Sequence, residues 1–112
     1  MNIQIFGSSK CFDTKKAMRY FKERNIKFQY VDILVKGLSM GELQSVASAV
    51  GLNALFDLKS KDYARLNLDR IVGAAMRQEI LLANSGLYRT PIVRDGRRAT
   101  VGYAQDVWTA WD

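Results

Sequence analysis

The first third of the chain has the pattern strand, helix, strand, and this pattern constrains the fold more than any other feature. Ile3 and Ile5 alternate with polar residues, which indicates a strand. Residues 14–25 place their apolar side chains on one helical face, and residues 28–33 form a second strand. Two strands joined by a helix predict a βαβ unit with parallel strands. Because the second strand is apolar on both faces near its end, we expect it in the buried middle of the sheet.

The middle of the chain, about residues 38–86, is predicted to be helical. Ser39 begins a motif with the S-x-x-E spacing of a capping box, and an apolar stripe follows it. Residues 57–68 are typical of a loop with a short helical turn. Asp69 is expected to cap a further helix over residues 70–83.

The end of the chain returns to strands. Asp95-Gly96 separates two short apolar runs and predicts a hairpin turn. Residues 104–111 predict a closing helix. Three of its side chains are expected to face the core: Val107, Trp108 and Trp111. The order β-α-β, helical middle, β-β-α predicts an α/β fold with a four-stranded mixed sheet, in a single domain over residues 1–112.

The residue content excludes several kinds of site. The 112 residues contain one cysteine and no histidine, so an internal disulfide, a structural zinc site and catalysis by a Ser-His-Asp or Cys-His pair are excluded. No metal site is expected. The sequence lacks a long apolar segment, a signal-peptide pattern and nucleic-acid-binding motifs. We therefore expect a cytoplasmic monomer that binds neither a membrane nor nucleic acid directly.

The net charge is +6, and lysine and arginine occur throughout the chain. A solvated basic surface is the ordinary explanation of such a composition. The alternative is a site for an anionic ligand, such as an oxyanion, glutathione or an acidic protein face.

The lone cysteine, Cys11, lies between the first strand and the first helix. A helix N-terminus stabilises a thiolate, and Lys10 and Lys15 add positive potential, which Asp13 opposes. The Thr14 hydroxyl is placed to donate a hydrogen bond to the sulfur. These features predict a reactive thiol with a lowered pKa; the alternative is a small buried apolar residue.

The only proline, Pro91, follows Thr90 and opens the third strand. Proline is tolerated at a strand start. The sequence by itself favours the trans isomer, because most X-Pro bonds are trans.

Taken in order, these motifs resemble the arsenate reductase–Spx family of the thioredoxin superfamily. The resemblance extends over nearly the whole chain. It rests on Ile3 to Cys11 with Thr14-Lys15-Lys16-Ala17, Phe28 to Ile33, Ser39-x-x-Glu42-Leu43, Tyr63-x-x-Leu66-x-Leu68, Thr90-Pro91-Ile92-Val93, Asp95-Gly96 and Val101-Gly102-Tyr103. It implies a thioredoxin-like fold in which residues 38–86 are the family's helical insertion.

The resemblance also implies a chemistry. Cys11 would be the nucleophile and Pro91 a cis proline packed opposite it. Arsenate reductases of this type attack arsenate with the cysteine and resolve the adduct with glutathione and glutaredoxin. Spx-like members bind the RNA polymerase α subunit, and many carry a C-x-x-C redox switch. A tightly bound cofactor is not implied, whereas glutathione is implied as a co-substrate.

The chain departs from the family pattern at three positions. Thr14 stands where the Spx switch has its second cysteine, Thr90 where arsenate reductases have an arginine, and Asp57 where a further arginine is found. Four other residues are candidates for anion binding: Arg89, Arg94, Lys59 and Lys61. A Thr-Pro pair at this point is similar to that of thioredoxins and glutaredoxins, which grip a peptide or glutathione there.

Three functional hypotheses remain open. The first is an arsenate reductase-like, monothiol thiol–disulfide oxidoreductase linked to glutathione or glutaredoxin. The second is an Spx-like regulator that binds an RNA polymerase subunit. The third is a member that has kept the fold and lost the chemistry.

Overall fold

The computed structural model describes residues 1–111. The strands are β1 (Ile3–Gly7), β2 (Phe28–Asp32), β3 (Ile92–Asp95) and β4 (Arg98–Val101). The α-helices are α1 (Phe12–Glu23), α2 (Met40–Val50), α3 (Lys61–Arg65), α4 (Ala74–Ala83) and α5 (Gln105–Trp111). The four strands form one mixed sheet in the order β2-β1-β3-β4. The predicted thioredoxin-like α/β architecture is confirmed. The predicted domain ends at Asp112, which lies outside the described residues.

The sheet is built around β1. It pairs in parallel with β2, as the βαβ pattern predicts, and antiparallel with β3. The prediction that residues 28–33 occupy the middle of the sheet is wrong, because β2 is an edge strand and Gln29 and Tyr30 are exposed. Only the end of this segment, at Ile33, is fully buried. Its apolar side chains are divided between the two faces of the edge strand: Phe28 packs against Phe21 of α1, and Val31 and Ile33 pack against the insertion.

Successive residues of β1 and β3 point to opposite faces of the sheet, so each strand serves two cores. On one face, Ile5 and Val93 pack with Phe21 of α1 and Trp108 of α5. On the other face, the helical middle of the chain covers the sheet. This second core contains Phe6, Ile33, Leu38, Leu43, Val46, Leu55, Phe56, Leu68, Leu81, Leu87, Tyr88 and Ile92. The end of β1 that leads to Cys11 is therefore held from both sides.

The helical middle begins as predicted and then departs from the prediction. Ser39 and Glu42 form the capping box at the start of α2, with bonds of 3.2 and 2.9 Å. The helix predicted over residues 70–83 begins only at Ala74. Asp69 belongs instead to a short 3₁₀ turn, Leu68–Arg70, in which Leu68 is buried. The backbone is extended at Ile71, the residue that follows this turn. Burial of Leu68 fixes this turn and delays the helix.

The hairpin and the closing helix differ from the predictions in detail. Asp95 pairs with Arg98, so the two turn residues are Gly96 and Arg97, one position later than the motif indicates. In α5, Trp108 is buried as expected and Trp111 is half-buried. Val107 is exposed, contrary to prediction, since the helix turns its neighbour Trp108 toward the sheet. Within residues 1–111, no helix has the length and apolar character needed to cross a bilayer.

Candidate active site

Cys11 is the N-cap residue of α1. Its backbone is extended (φ −89°, ψ 120°), its N–H donates to the Ser8 carbonyl at 3.0 Å, and its own carbonyl accepts the first helical bond from Lys15. The side chain makes no capping hydrogen bond and is partly exposed. The alternative of a buried apolar cysteine is therefore wrong. The sulfur lies where the free N–H groups of the helix stabilise negative charge.

Thr14 is buried beneath the cysteine, in the first turn of α1. Its hydroxyl oxygen accepts a long bond from the Ser8 N–H at 3.4 Å, which leaves its own proton free to be donated. Thr14 also packs against the last residue of β1, Gly7, so closely that any side chain at Gly7 would overlap it. A glycine at the strand end therefore allows the threonine to lie under the sulfur.

The Thr90–Pro91 peptide bond is cis, as the family resemblance implies. This segment lies across from the cysteine, and the thiol donates to the Thr90 carbonyl at 3.6 Å. Burial of the sulfur raises the pKa of the Cys11 thiol. Hydrogen bonds from the Thr14 and Thr90 side chains and from the Thr14 and Asp13 backbone outweigh it, so the pKa lies below its ordinary value. The pKa of Cys11 is therefore lowered in the predicted direction, and hydrogen bonds to the sulfur are the cause.

A shallow groove of about 300 Å³ opens at the sulfur. Besides Cys11, it is lined by Ser8, Lys10, Ile33, Leu34, Asp57, Ser85, Gly86, Tyr88 and Thr90. The charged side chains among them are Lys10 and Asp57, one of each sign. Leu34 is apolar and largely exposed, as is Phe12 just beyond the groove. The groove therefore offers a thiolate, a mixed electrostatic environment and apolar surface.

The helical insertion supplies Asp57, Ser85 and Gly86 to the groove, and Tyr88, which the sequence did not single out, lies just after the insertion. A β-bridge between Phe56 and Tyr88 brings the two segments together, and the Asp57 N–H donates to the Leu87 carbonyl at 2.7 Å. The Tyr88 hydroxyl is buried and has no hydrogen-bond partner within residues 1–111. Burial, followed by the nearby charge of Glu42, raises the pKa of Tyr88 to about 12, so the hydroxyl stays protonated.

The predicted anion-binding residues are not gathered at the sulfur. Arg89 and Lys59 line a neighbouring pocket of about 400 Å³, which shares Asp57 with the groove. Lys61 is exposed at the start of α3. Arg94 lies on β3 and contacts Gln4 of β1, about 10 Å from the end of β1 that leads to Cys11.

Of the predicted supporting residues, the structure brings Lys10, Thr14 and Thr90 around the sulfur. Pro91 is buried beside Thr90, and its carbonyl accepts the Gly102 N–H at 2.8 Å. Lys15 is exposed in the first turn of α1, outside the groove lining. The arrangement suits nucleophilic attack by a thiolate, with the hydrogen-bond donors in place before the substrate arrives.

A model of the ArsC family matches residues 6–111, which is almost the entire chain. The chain belongs to the ArsC family. Curated relatives include the global transcriptional regulator Spx 2 of Oceanobacillus iheyensis, 30% identical over 109 residues, covering 95% of this chain and 80% of that protein. The global transcriptional regulator Spx of Listeria innocua is 28% identical over 108 residues, covering 93% and 82%.

Solved structures with the same fold include proteins whose printed names refer to arsenate reductase. An arsenate reductase from Vibrio cholerae aligns with a TM-score of 0.88 at 20% identity, covering 98% of this chain and 97% of that one. An arsenate reductase (ArsC) related protein from Brucella melitensis aligns with a TM-score of 0.73 at 22% identity, covering 99% and 94%. At these identities the comparison establishes a shared ArsC fold.

The Thr14 hydroxyl gives the site its first testable property. In a Thr14→Val variant of nearly equal volume, the sulfur loses a hydrogen bond that favours its charged form, so the pKa of Cys11 rises. We expect the rate of alkylation by iodoacetamide at neutral pH to fall several-fold and its pH midpoint to move upward. Thr14→Ser keeps the hydroxyl and serves as the control. An unchanged midpoint in Thr14→Val, with the fold verified by circular dichroism, would contradict the assignment.

Proposed function

We propose that this ArsC-family protein is a monothiol thiol–disulfide oxidoreductase, in which Cys11 is the nucleophile and glutathione the co-substrate. The observation that carries the proposal is the placement of the sole cysteine at the N-terminus of α1, partly exposed and with its pKa lowered. A buried structural cysteine would have neither property. A cytoplasmic location is part of the proposal, since a lone free thiol suits a reducing compartment.

The reaction has two steps. The Cys11 thiolate attacks one sulfur of a disulfide between glutathione and a protein, forms a mixed disulfide with glutathione, and releases the protein thiolate. A second glutathione thiolate then attacks the glutathione sulfur of that adduct, releases oxidised glutathione and regenerates the Cys11 thiolate. The leaving Cys11 sulfur is assisted in the second step by the same hydrogen bonds that lower its pKa.

The charges around the groove support disulfides over arsenate as substrates. An oxyanion is best held by planar, bidentate arginine donors. Here the groove carries one carboxylate, Asp57, and one ammonium, Lys10. Arg89 is in the adjoining pocket, and Arg94 is at the other end of its strand. We therefore expect adduct formation with oxidised glutathione to exceed that with arsenate.

Intact-mass spectrometry tests the proposal directly, because any thiol adduct must be on Cys11. The folded chain is incubated separately with oxidised glutathione and with arsenate plus reduced glutathione. The urea-unfolded chain in the first reaction supplies the control, since it has the same thiol without Thr14 and Thr90 beside it. We expect rapid glutathione addition to the folded chain and its removal by reduced glutathione. Addition no faster than in the unfolded chain would reject the proposal.

A second candidate rests on the curated relatives named as global transcriptional regulators. The chain would then act as a regulator that binds an RNA polymerase subunit, without a C-x-x-C switch because Thr14 replaces its second cysteine. Pull-down of the purified α subunit, with an Spx protein as positive control, tests this function. Binding by the control but not by this chain would reject it.

A further inference from the structure

The positive charge of the chain is concentrated around α1. Basic residues occur throughout the sequence, but between positions 10 and 27 seven of them accompany only two acidic residues, Asp13 and Glu23. The seven are Lys10, Lys15, Lys16, Arg19, Lys22, Arg24 and Lys27. This short segment thus holds most of the net charge of +6.

These cations are not neutralised within the described part of the chain. The ion pairs there are Arg65 with Asp62 and Arg98 with Asp95, which lie elsewhere. Six of the seven basic side chains are exposed, and the seventh, Lys16, is half-buried. A surface that keeps so many like charges together without partners is costly to the folded state and favours an anionic partner.

The exposed charges follow the reactive cysteine along the helix. Lys15, Arg19 and Lys22 succeed Cys11 at intervals of four, four and three residues, which places them on one side of α1. Arg19 lies about 12 Å along the helix axis from Cys11. We call Lys15, Lys16, Arg19 and Lys22 the basic α1 face.

A groove of about 380 Å³ runs along one side of this face, between α1 and the start of α5. Lys16 lies over the Tyr103 ring at 4.4 Å and Arg24 over the Tyr20 ring at 4.5 Å, so two cations are fixed at its walls. Glu23 also lines the groove. The Glu23 carboxylate would repel the continuous row of phosphates of a nucleic acid. The carboxylates of an acidic protein segment are separate side chains, and they can turn away from Glu23.

We infer that the basic α1 face docks an acidic segment of a protein whose disulfide is attacked by the Cys11 thiolate. This inference rests on the proposed function and adds to it the chemistry of the partner. Negative charge near the reacting sulfur of the partner would raise the local concentration of the partner at the groove beside Cys11. The selection would come from attraction along α1, at a distance from the sulfur, and would be weakened by salt.

Two synthetic peptides test the inference. Each contains one cysteine activated as a mixed disulfide with thionitrobenzoate, followed by two glycines and then by either four aspartates or four serines. Cys11 attacks the peptide sulfur, a Cys11–peptide disulfide forms, and coloured thionitrobenzoate is released. In low salt, we expect the acidic peptide to react about tenfold faster than the neutral one. The ratio of rates should approach one at high ionic strength.

Charge-reversal variants locate the effect. In Arg19→Glu/Lys22→Glu the ratio should fall to about one or below, because the face becomes mixed in sign. Arg70→Glu/Arg97→Glu changes the net charge of the chain equally at exposed positions outside the face and should keep the wild-type ratio. Equal ratios in the two variants would overturn the inference. So would a duplex DNA that blocks the acidic peptide at lower concentration than a thiol-free acidic peptide does.

The neutral peptide separates this inference from the proposed function. Suppose that the neutral peptide reacts faster with the folded than with the unfolded wild-type chain, but the acidic peptide reacts no faster than the neutral one with the folded chain. Then only the docking face is rejected. If the neutral peptide reacts no faster with the folded chain, the reactivity of Cys11 itself is rejected.

Discussion

Replacing Cys11 with serine lowers glutathione-dependent reduction of a glutathionylated peptide by at least about a thousand-fold, the order of loss when a covalent nucleophile is removed. Serine keeps the size of the side chain and the N-cap position. Its hydroxyl does not ionise near neutral pH, so the hydrogen bonds that favour the thiolate have no anion to stabilise. The chain has no other cysteine to take over the reaction.

The measurement is the rate of oxidised glutathione production, coupled to glutathione reductase. Ser9→Ala changes an exposed neighbour in the same loop and provides the control, which should keep the wild-type rate. Equal rates in Cys11→Ser and wild type would contradict the assignment of the nucleophile. A loss in both variants would point instead to damage of the loop before α1.

Replacing Trp108 with alanine lowers the free energy of unfolding by about 3–5 kcal/mol. The indole is buried between α1, α5 and the sheet, with ring centroids 5.3, 5.2 and 5.2 Å from Tyr20, Phe21 and Tyr103. Its Nε1–H donates to the Thr100 hydroxyl at 2.7 Å. Alanine leaves a cavity among these rings and leaves that hydroxyl buried without its donor. Urea denaturation followed by circular dichroism measures the change.

Trp108→Phe separates packing from hydrogen bonding. Phenylalanine keeps much of the ring volume and loses the bond to Thr100, so we expect a cost of about 1–3 kcal/mol. A matched outer position is Val107, which is exposed on the same helix, and Val107→Ala should change stability by no more than about 0.5 kcal/mol. Similar losses for Trp108→Ala and Val107→Ala would contradict the assigned core.

Local rules predicted the elements better than their places in the sheet. The capping box at Ser39 and the parallel βαβ unit depend on residues near one another in sequence, and both are confirmed. The position of β2 depends on β3, which is some 60 residues later and takes the other side of β1. The apolar run at residues 28–33 holds no information about that choice. In the same way, the start of α4 depends on burial of Leu68 by distant residues.

The candidate site shows the same difference between residues that are near one another in sequence and residues that are distant. The closeness of Cys11 and Thr14 follows from the end of a strand and the start of a helix, and the sequence predicts both. The contact with Thr90 spans 79 positions and was available only through the family resemblance. Tyr88 was missed because its approach depends on a bridge to Phe56 within the insertion. Arg94 is three residues after Pro91 in sequence, but an extended strand carries each successive residue about 3.3 Å farther away.

In the proposed glutathione reaction, the lone thiol at the start of α1 also determines which property of the glutathione pool sets the oxidation state of the protein. Oxidation of two cysteines to an internal disulfide by oxidised glutathione releases two glutathione molecules, so its equilibrium shifts when the whole pool is diluted. Cys11 has no internal partner, so each oxidation consumes one molecule and releases one. In a glutathione pool, the oxidised fraction then follows the ratio of disulfide to thiol and is indifferent to the total amount. In the proposed reaction, the stoichiometry of a single sulfur therefore ties the oxidation state of the chain to that ratio alone.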